Sequence, residues 1–269
     1  MTTAPLTPTK LRVAATMHHG RNPQQQDAMW LAGEACQHAD MPPHETTFTA
    51  DNRLFAIADG VATSPGASRA SKTALKALAD ALNAHPDWSF DGMLGVRHVR
   101  AAQAALCDAL ASRALAWGSS TTLVAAHLLG DRLAVVNSGD SRAYLIKSNG
   151  RTRQLSRDHT ELQHLIDSGQ AQPGTEYASV YQSLSDCLIA DPEADDFAVH
   201  RETIQLQTGD RLILCSDGVH DVLNEPEWLA TMHAAPDPLA MVTTTRKAVL
   251  EHGAPDNFSM IAMTFGVDA

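Results

Sequence analysis

The sequence predicts an α+β protein whose helices alternate with many antiparallel strands in layered sheets. Three observations predict it. Two long segments rich in alanine and leucine, 64–83 and 93–117, carry apolar residues at helical spacing. The stretch 120–155 breaks into short apolar runs separated by turn dipeptides. Two further apolar runs, Arg53 to Ala58 and Arg211 to Ser216, stop abruptly at Asp59-Gly60 and Asp217-Gly218.

Taken in order, Leu11 to Thr16, Ala28 to Ala32 and Arg53 to Ala58 predict the first strands. Ser64-Pro65 has the form of a helix N-cap followed by proline at the first helical position. Ala67, Ala70, Ala74, Leu75, Leu78 and Leu82 then mark one face of a helix ending near Asn83, and a second helix is expected over 93–117. Ser120 to Leu129, Arg132 to Asn137 and Ser141 to Ile146 read as consecutive strands, and Asn149-Gly150 is a hairpin turn before Arg151 to Leu155. A short helix over Glu161 to Asp167 ends at Gly169. The segment 170–196 lacks periodicity and reads as a long irregular excursion of the kind that often carries function. Helices over Pro226 to His233 and Pro238 to His252 and a strand over Asn257 to Phe265 complete the chain.

Composition narrows the function. The chain has 269 residues, 44% hydrophobic and 19% charged, enough for a sizeable core in one domain over 11–267 behind a polar tail at 1–10. Its net charge of −11 and 5% aromatic content disfavour nucleic acid as a partner. Apolar runs such as Leu212 to Cys215 are far too short to span a bilayer, and no secretory signal is visible. Four scattered cysteines (Cys36, Cys107, Cys187, Cys215) without a CxxC pair fit reduced thiols in a cytoplasmic protein. Nothing requires more than a monomer.

Asp-Gly alone is a turn dipeptide, and the third copy, Asp91-Gly92, has no strand ahead of it and is assigned to turn chemistry. Asp59 and Asp217 differ, because each ends an apolar strand and would be held at a sheet rim. Asp256-Asn257 begins the last apolar strand and Asp27 precedes another. Four carboxylates at strand edges suit hard cations such as Mg²⁺ and Mn²⁺. The plain alternative is four independent, solvated aspartates.

The ordered series Arg21…Gln26-Asp27, Asp59-Gly60, Ser120-Thr121-Thr122, Asn137-Ser138-Gly139-Asp140-Ser141-Arg142, Asp158-His159-Thr160, Cys215-Ser216-Asp217-Gly218 and Asp256-Asn257 resembles the metal-dependent serine/threonine protein phosphatases of type 2C, over about 11–266. The resemblance implies a four-layer α-β-β-α sandwich, two antiparallel sheets flanked by helices. It implies two Mn²⁺ or Mg²⁺ ions, with Asp59 bridging them, the Gly60 carbonyl on one, and Asp217 and Asp256 completing the other centre. Asp27 would act mostly through bound water, and Asp140 would help hold a weaker third ion. The implied activity is hydrolysis of phosphoserine and phosphothreonine in proteins by attack of a metal-bridging water, without a covalent intermediate. Arg21 is the candidate phosphate clamp, and Arg21, Asp59 and Asp217 are the candidate catalytic residues. The implied partners are phosphorylated proteins, within a serine/threonine kinase pathway.

Some positions depart from the family's pattern. Arg21 lies six positions before Asp27 rather than five, and Val61 stands where many eukaryotic members carry a histidine. His159 is expected to bond backbone near the site, and 170–196 occupies the flap position without the familiar flap sequence. Two other readings remain. One is a phosphoprotein-binding signalling module of the same fold with impaired metal binding. The other is a serine hydrolase working through Ser141, although no GxSxG is present. Cys215 is expected in the core, and His18 and His19 at the surface.

Overall fold

A computed structural model describes residues 9–112, 116–175, 177–194 and 196–266. Its strands are β1 (Lys10–His18), β2 (Ala28–Leu31), β3 (Glu34–Cys36), β4 (Asp40–Thr49), β5 (Arg53–Ala58), β6 (Ser120–Thr121), β7 (Leu123–Leu129), β8 (Arg132–Ser138), β9 (Arg142–Ile146), β10 (Thr152–Gln154), β11 (Leu188–Ile189), β12 (His200–Gln205), β13 (Arg211–Cys215) and β14 (Phe258–Phe265). Its helices are α1 (Ala67–Ala84), α2 (Val96–Leu110), α3 (Glu161–Asp167), α4 (Asp217–His220), α5 (Glu225–Ala234) and α6 (Pro238–Glu251). The strands form two six-stranded antiparallel sheets, in the orders β10-β9-β13-β14-β1-β4 and β12-β8-β7-β5-β2-β3, and a small pair β11-β6.

The period of two along each strand explains the layering. Val13, Ala15, Phe55, Ile57, Val124, Ala126, Leu212 and Leu214 point into one core between the sheets. Their neighbours Ala56, Ala58, Ala125 and Ala134 face α1 and α2, meeting Ala70, Ala74 and Leu78. Ala14, Ile213, Cys215, Met260 and Ala262 face α5 and α6, meeting Trp228, Met241 and Val249. Both faces of each central strand are therefore buried, so these strands read as unbroken apolar runs rather than alternating ones. The architecture is the expected α-β-β-α sandwich.

The boundaries differ in instructive places. The cap of α1 is Gly66, not Ser64; Ser64 is drawn away to Ser120, whose N–H it accepts at 3.1 Å. The second helix starts later and ends earlier than expected, at Val96 and Leu110, and residues 113–115 of that expectation lie outside the described residues. The run 120–129 is broken at Thr122, between β6 and β7. Strands β3, β4 and β12 carry no apolar run and are all sheet edges. An edge strand is half solvated and tolerates proline, as β4 does at Pro42 and Pro43. Among the described residues no helix is long and apolar enough to cross a membrane.

Candidate metal centre

Antiparallel pairing brings five strand termini to one end of the sandwich: the starts of β2 and β14 and the ends of β5, β8 and β13. Asp27, Asp59, Asp140, Asp217 and Asp256 all follow or precede these termini. Asp59, Gly60, Asp140, Asp217 and Asp256 line a cleft of about 260 Å³, together with Val61, Ala62, Thr63, Thr122, Gln182 and Leu184. Asp27 lies behind them, fully buried.

Backbone contacts fix the spacing. Thr122 interrupts the strand to hold Asp59 from two sides: its Oγ1 accepts the Asp59 N–H at 3.1 Å, and its own N–H donates to the Asp59 carbonyl at 2.8 Å. Thr121 adds its hydroxyl to the same carbonyl at 2.9 Å. A β-carbon on Gly60 would lie 2.4 Å from the Ala67 carbonyl oxygen, and one on Gly218 would lie 1.9 Å from that of Asn257. Only glycine allows the chain after each aspartate to come so close. Ser216 ties the two sheets together, donating to Asp27 Oδ2 at 2.8 Å and accepting the Ser259 N–H at 3.0 Å. Asn257 pins the loop before Asp27, donating to the carbonyls of His19 and Gln24 and accepting the Gln26 N–H.

The electrostatics are unbalanced. Among the described residues lining the cleft there are four carboxylates and no lysine, arginine or histidine. Burial, then the like charges of Asp27 and Asp217, push the Asp59 pKa well above the carboxylate range. Burial also raises Asp27 to about 7 and Asp140 to about 7, each with Asp217 as a like-charged neighbour, and burial raises Asp217 itself. Asp27 Oδ1 and Asp217 Oδ1 are buried with no hydrogen-bond partner. Carboxylates crowded this way must either share protons or receive cations. The oxygen-only donor set, with the Gly60 carbonyl, fits Mg²⁺ or Mn²⁺. Among the described residues no three His, Cys, Asp or Glu side chains are drawn together closely enough to hold one ion between them.

The structure thus brings together Asp27, Asp59, Gly60, Asp140, Asp217 and Asp256. It does not bring the Arg21 side chain among them. Arg21 is exposed, its N–H donates to the Ala254 carbonyl at 3.0 Å, and its guanidinium lies against Gly253 beyond α6. Its neighbour Asn22 donates to Asp256 instead. His159 does what its position suggested: its Nδ1 accepts the Gly139 N–H at 3.0 Å, and burial lowers its pKa. Ser141 is buried and paired with the Thr122 hydroxyl at 2.7 Å, away from any role as an exposed nucleophile. His18 and His19 stack on one another, and His18 on Phe258, at the end of β1.

Several supporting side chains had no assigned role in the sequence: Thr122, Ser216, Asn257 and His220. His220 is buried and donates from Nε2 to the Asp140 carbonyl at 3.1 Å, with Asp221 beside its Nδ1. Burial opposes charge on this ring, yet Asp221 leaves its pKa raised. The available signal was polar residues embedded in or beside apolar strands.

Comparison with known proteins agrees with this geometry. The sequence profile described as Protein phosphatase 2C matches residues 32–251, a span that omits Asp27 and Asp256. The serine/threonine protein phosphatase PstP of Mycobacterium tuberculosis is 29% identical over 218 residues, covering 81% of this chain and 41% of PstP. The chain thus spans about two fifths of the length of that relative. A crystal structure of the PstP catalytic domain in complex with two manganese ions superposes with a TM-score of 0.73 at 25% identity, covering 97% of this chain and 100% of that one. The phosphatase Stp1 from Staphylococcus aureus shares the fold, with a TM-score of 0.76 at 19% identity over 96% of this chain and 95% of its own. With most of the chain matched by the family profile and the carboxylates gathered where its fold gathers strand ends, this chain belongs to the protein phosphatase 2C family.

Proposed function

We propose that the chain is a Mn²⁺- or Mg²⁺-dependent protein phosphatase that hydrolyses phosphoserine and phosphothreonine. The observation that carries this reading is the cluster of carboxylates at five strand termini, Asp27 buried and the other four half-buried, with no cationic side chain among the described residues lining the cleft. Asp59, Asp217, Asp256 and the Gly60 carbonyl would hold two ions, with Asp27 behind them and Asp140 toward a third. When bound, such ions supply an activated water and neutralise phosphoryl oxygens for in-line displacement. The chain's own part is positional. Thr121 and Thr122 fix Asp59, Ser216 holds Asp27 against β14, and His220 holds the Asp140 turn. Arg21, exposed on the loop that Asn257 pins beside Asp256, is the cation available to meet an incoming phosphate.

Further parts of the proposal are a catalytic domain over 11–267, a flap over 170–196, phosphoproteins of a serine/threonine kinase pathway as substrates, a monomeric state and a cytoplasmic setting. Four free cysteines fit that setting. Nothing favours the impaired binding module, because the full carboxylate set is kept. The test is hydrolysis of p-nitrophenyl phosphate and a phosphothreonine peptide with Mn²⁺, then with excess EDTA. Turnover lost on chelation is expected; absence of turnover by folded, Mn²⁺-loaded protein would defeat the reading.

A further inference from the structure

The lining of the cleft changes character where Gln182 and Leu184 join it. Residues 177–184 (YASVYQSL) carry no charge in a chain that is 19% charged. Within them Val180 is 66% and Tyr181 41% exposed, an apolar pair immediately before Gln182. The turn that presents them is built rather than loose. The Tyr181 N–H donates to the Ala178 carbonyl at 3.0 Å and the Ser183 hydroxyl to the Val180 carbonyl at 2.8 Å.

Its root is tied to the acidic end. Leu184 bridges Thr160, and the Ser185 N–H donates to the His159 carbonyl at 3.0 Å. The His159 ring in turn holds Gly139, next to Asp140. The acid that follows, Asp186, is engaged by the Ala198 N–H at 2.8 Å and the Ser185 hydroxyl at 2.9 Å. Among its described residues this stretch therefore offers apolar surface beside the cleft, and its one carboxylate, Asp186, is already engaged. Successive Cα atoms lie about 3.8 Å apart, so the residue beside a phosphoserine in the cleft would be within reach of the neighbours of Gln182.

We infer that Val180 and Tyr181 read the residue flanking the phosphorylated serine or threonine, and that the side chain they accept is apolar rather than basic. The inference rests on the phosphatase reading, and the experiment separates the two. Two phosphothreonine peptides differing only in a flanking Leu or Lys are compared, with p-nitrophenyl phosphate hydrolysed by the wild-type protein as the control. The wild-type kcat/KM ratio is expected to favour the Leu peptide by about fivefold, as contact with a half-exposed apolar surface allows. Val180→Ser and Tyr181→Ser should bring that ratio toward one, and Tyr181→Glu should reverse it, a gain that misfolding cannot produce. The ratio is internal to each protein, so a change in overall activity does not imitate the effect. Turnover of p-nitrophenyl phosphate with no Leu preference, or with a ratio the variants leave unchanged, overturns the inference alone. No turnover of any substrate overturns the phosphatase reading and the inference with it.

Discussion

Asp91-Gly92 and the pair Asp59-Gly60 and Asp217-Gly218 are the same dipeptide put to opposite uses. Asp91 accepts from the Ser89 hydroxyl, the Met93 N–H and the Arg201 guanidinium, the last at 2.6 Å, and Arg132 stands 3.5 Å away. Burial works against its charge, but Ser89 and Arg201 override it and hold the carboxyl at about 2. Asp59 and Asp217 have each other, Asp27 and Asp140, and no cationic side chain among the described residues lining the cleft. A partly buried carboxylate given its cation by the chain is a structural strut. One left without it can be balanced only by a shared proton or a cation from solution.

The contrast breaks most sharply on substitution. Asp59→Asn and Asp217→Asn should each lower kcat/KM for p-nitrophenyl phosphate by roughly a thousandfold. Removing a like charge should leave the metal-free Tm no lower, as a melting curve in EDTA would check. Saturating Mn²⁺ should next stabilise the wild-type fold by about 2.7 kcal/mol at a hundred times Kd, roughly 5–10 °C in Tm, and should not do so in Asp59→Asn. At the other Asp-Gly, Arg201→Ala should cost about 2 kcal/mol in denaturant unfolding while Mn²⁺-dependent activity per folded molecule persists. An equal loss of activity would erase the distinction between the two regions.

Smaller effects sharpen it. Replacing Arg21 by Ala should raise KM by roughly tenfold with kcat little changed; an unchanged KM would move the phosphate contact elsewhere. The smallest effect is on pH. Asp27 and Asp140 titrate near 7 in the folded state against an ordinary 3.8, so between those values the folded protein binds more protons than the unfolded chain. Stability of the metal-free protein should therefore fall as pH rises through this window and level off above it. A metal-free Tm roughly 1–3 °C lower at pH 8 than at pH 7 is expected, with a smaller difference in Asp27→Asn.

Central strands were legible because both faces are buried: β5 matches its apolar run residue for residue, and β13 and β14 to within one residue at one end. Helix α3 was legible from its own ends, with Thr160 accepting the Gln163 N–H at the start. The edge strands β3, β4 and β12 were not, since they mix half-buried and exposed positions with charged or proline residues, whereas the edge strand β10 was legible from the Asn149-Gly150 turn before it. Ser64-Pro65 misled because a local capping signal lost to a tertiary contact with Ser120. Of the site, the aspartates were legible as strand-terminal carboxylates. Their holders were not, because a threonine such as Thr122 gains its task only when β5 and β7 pair. For Arg21, residue type and order suggested a clamp, but the direction of its side chain, which lies toward Gly253, depends on loop geometry that no local pattern encodes.

The glycines behind the two cleft aspartates have a consequence for how this centre can drift under mutation. At Gly60 and Gly218 the gap between neighbouring segments is closed first by main-chain carbonyls, with only the β-carbons of Ala67 and Phe258 beside them. Main-chain contacts do not lengthen or shorten when a core leucine becomes a methionine. The interval between the aspartates should thus act as a fixed gauge, insulated from repacking between the sheets, while the lip contributed by 177–184 is free to vary with the clientele.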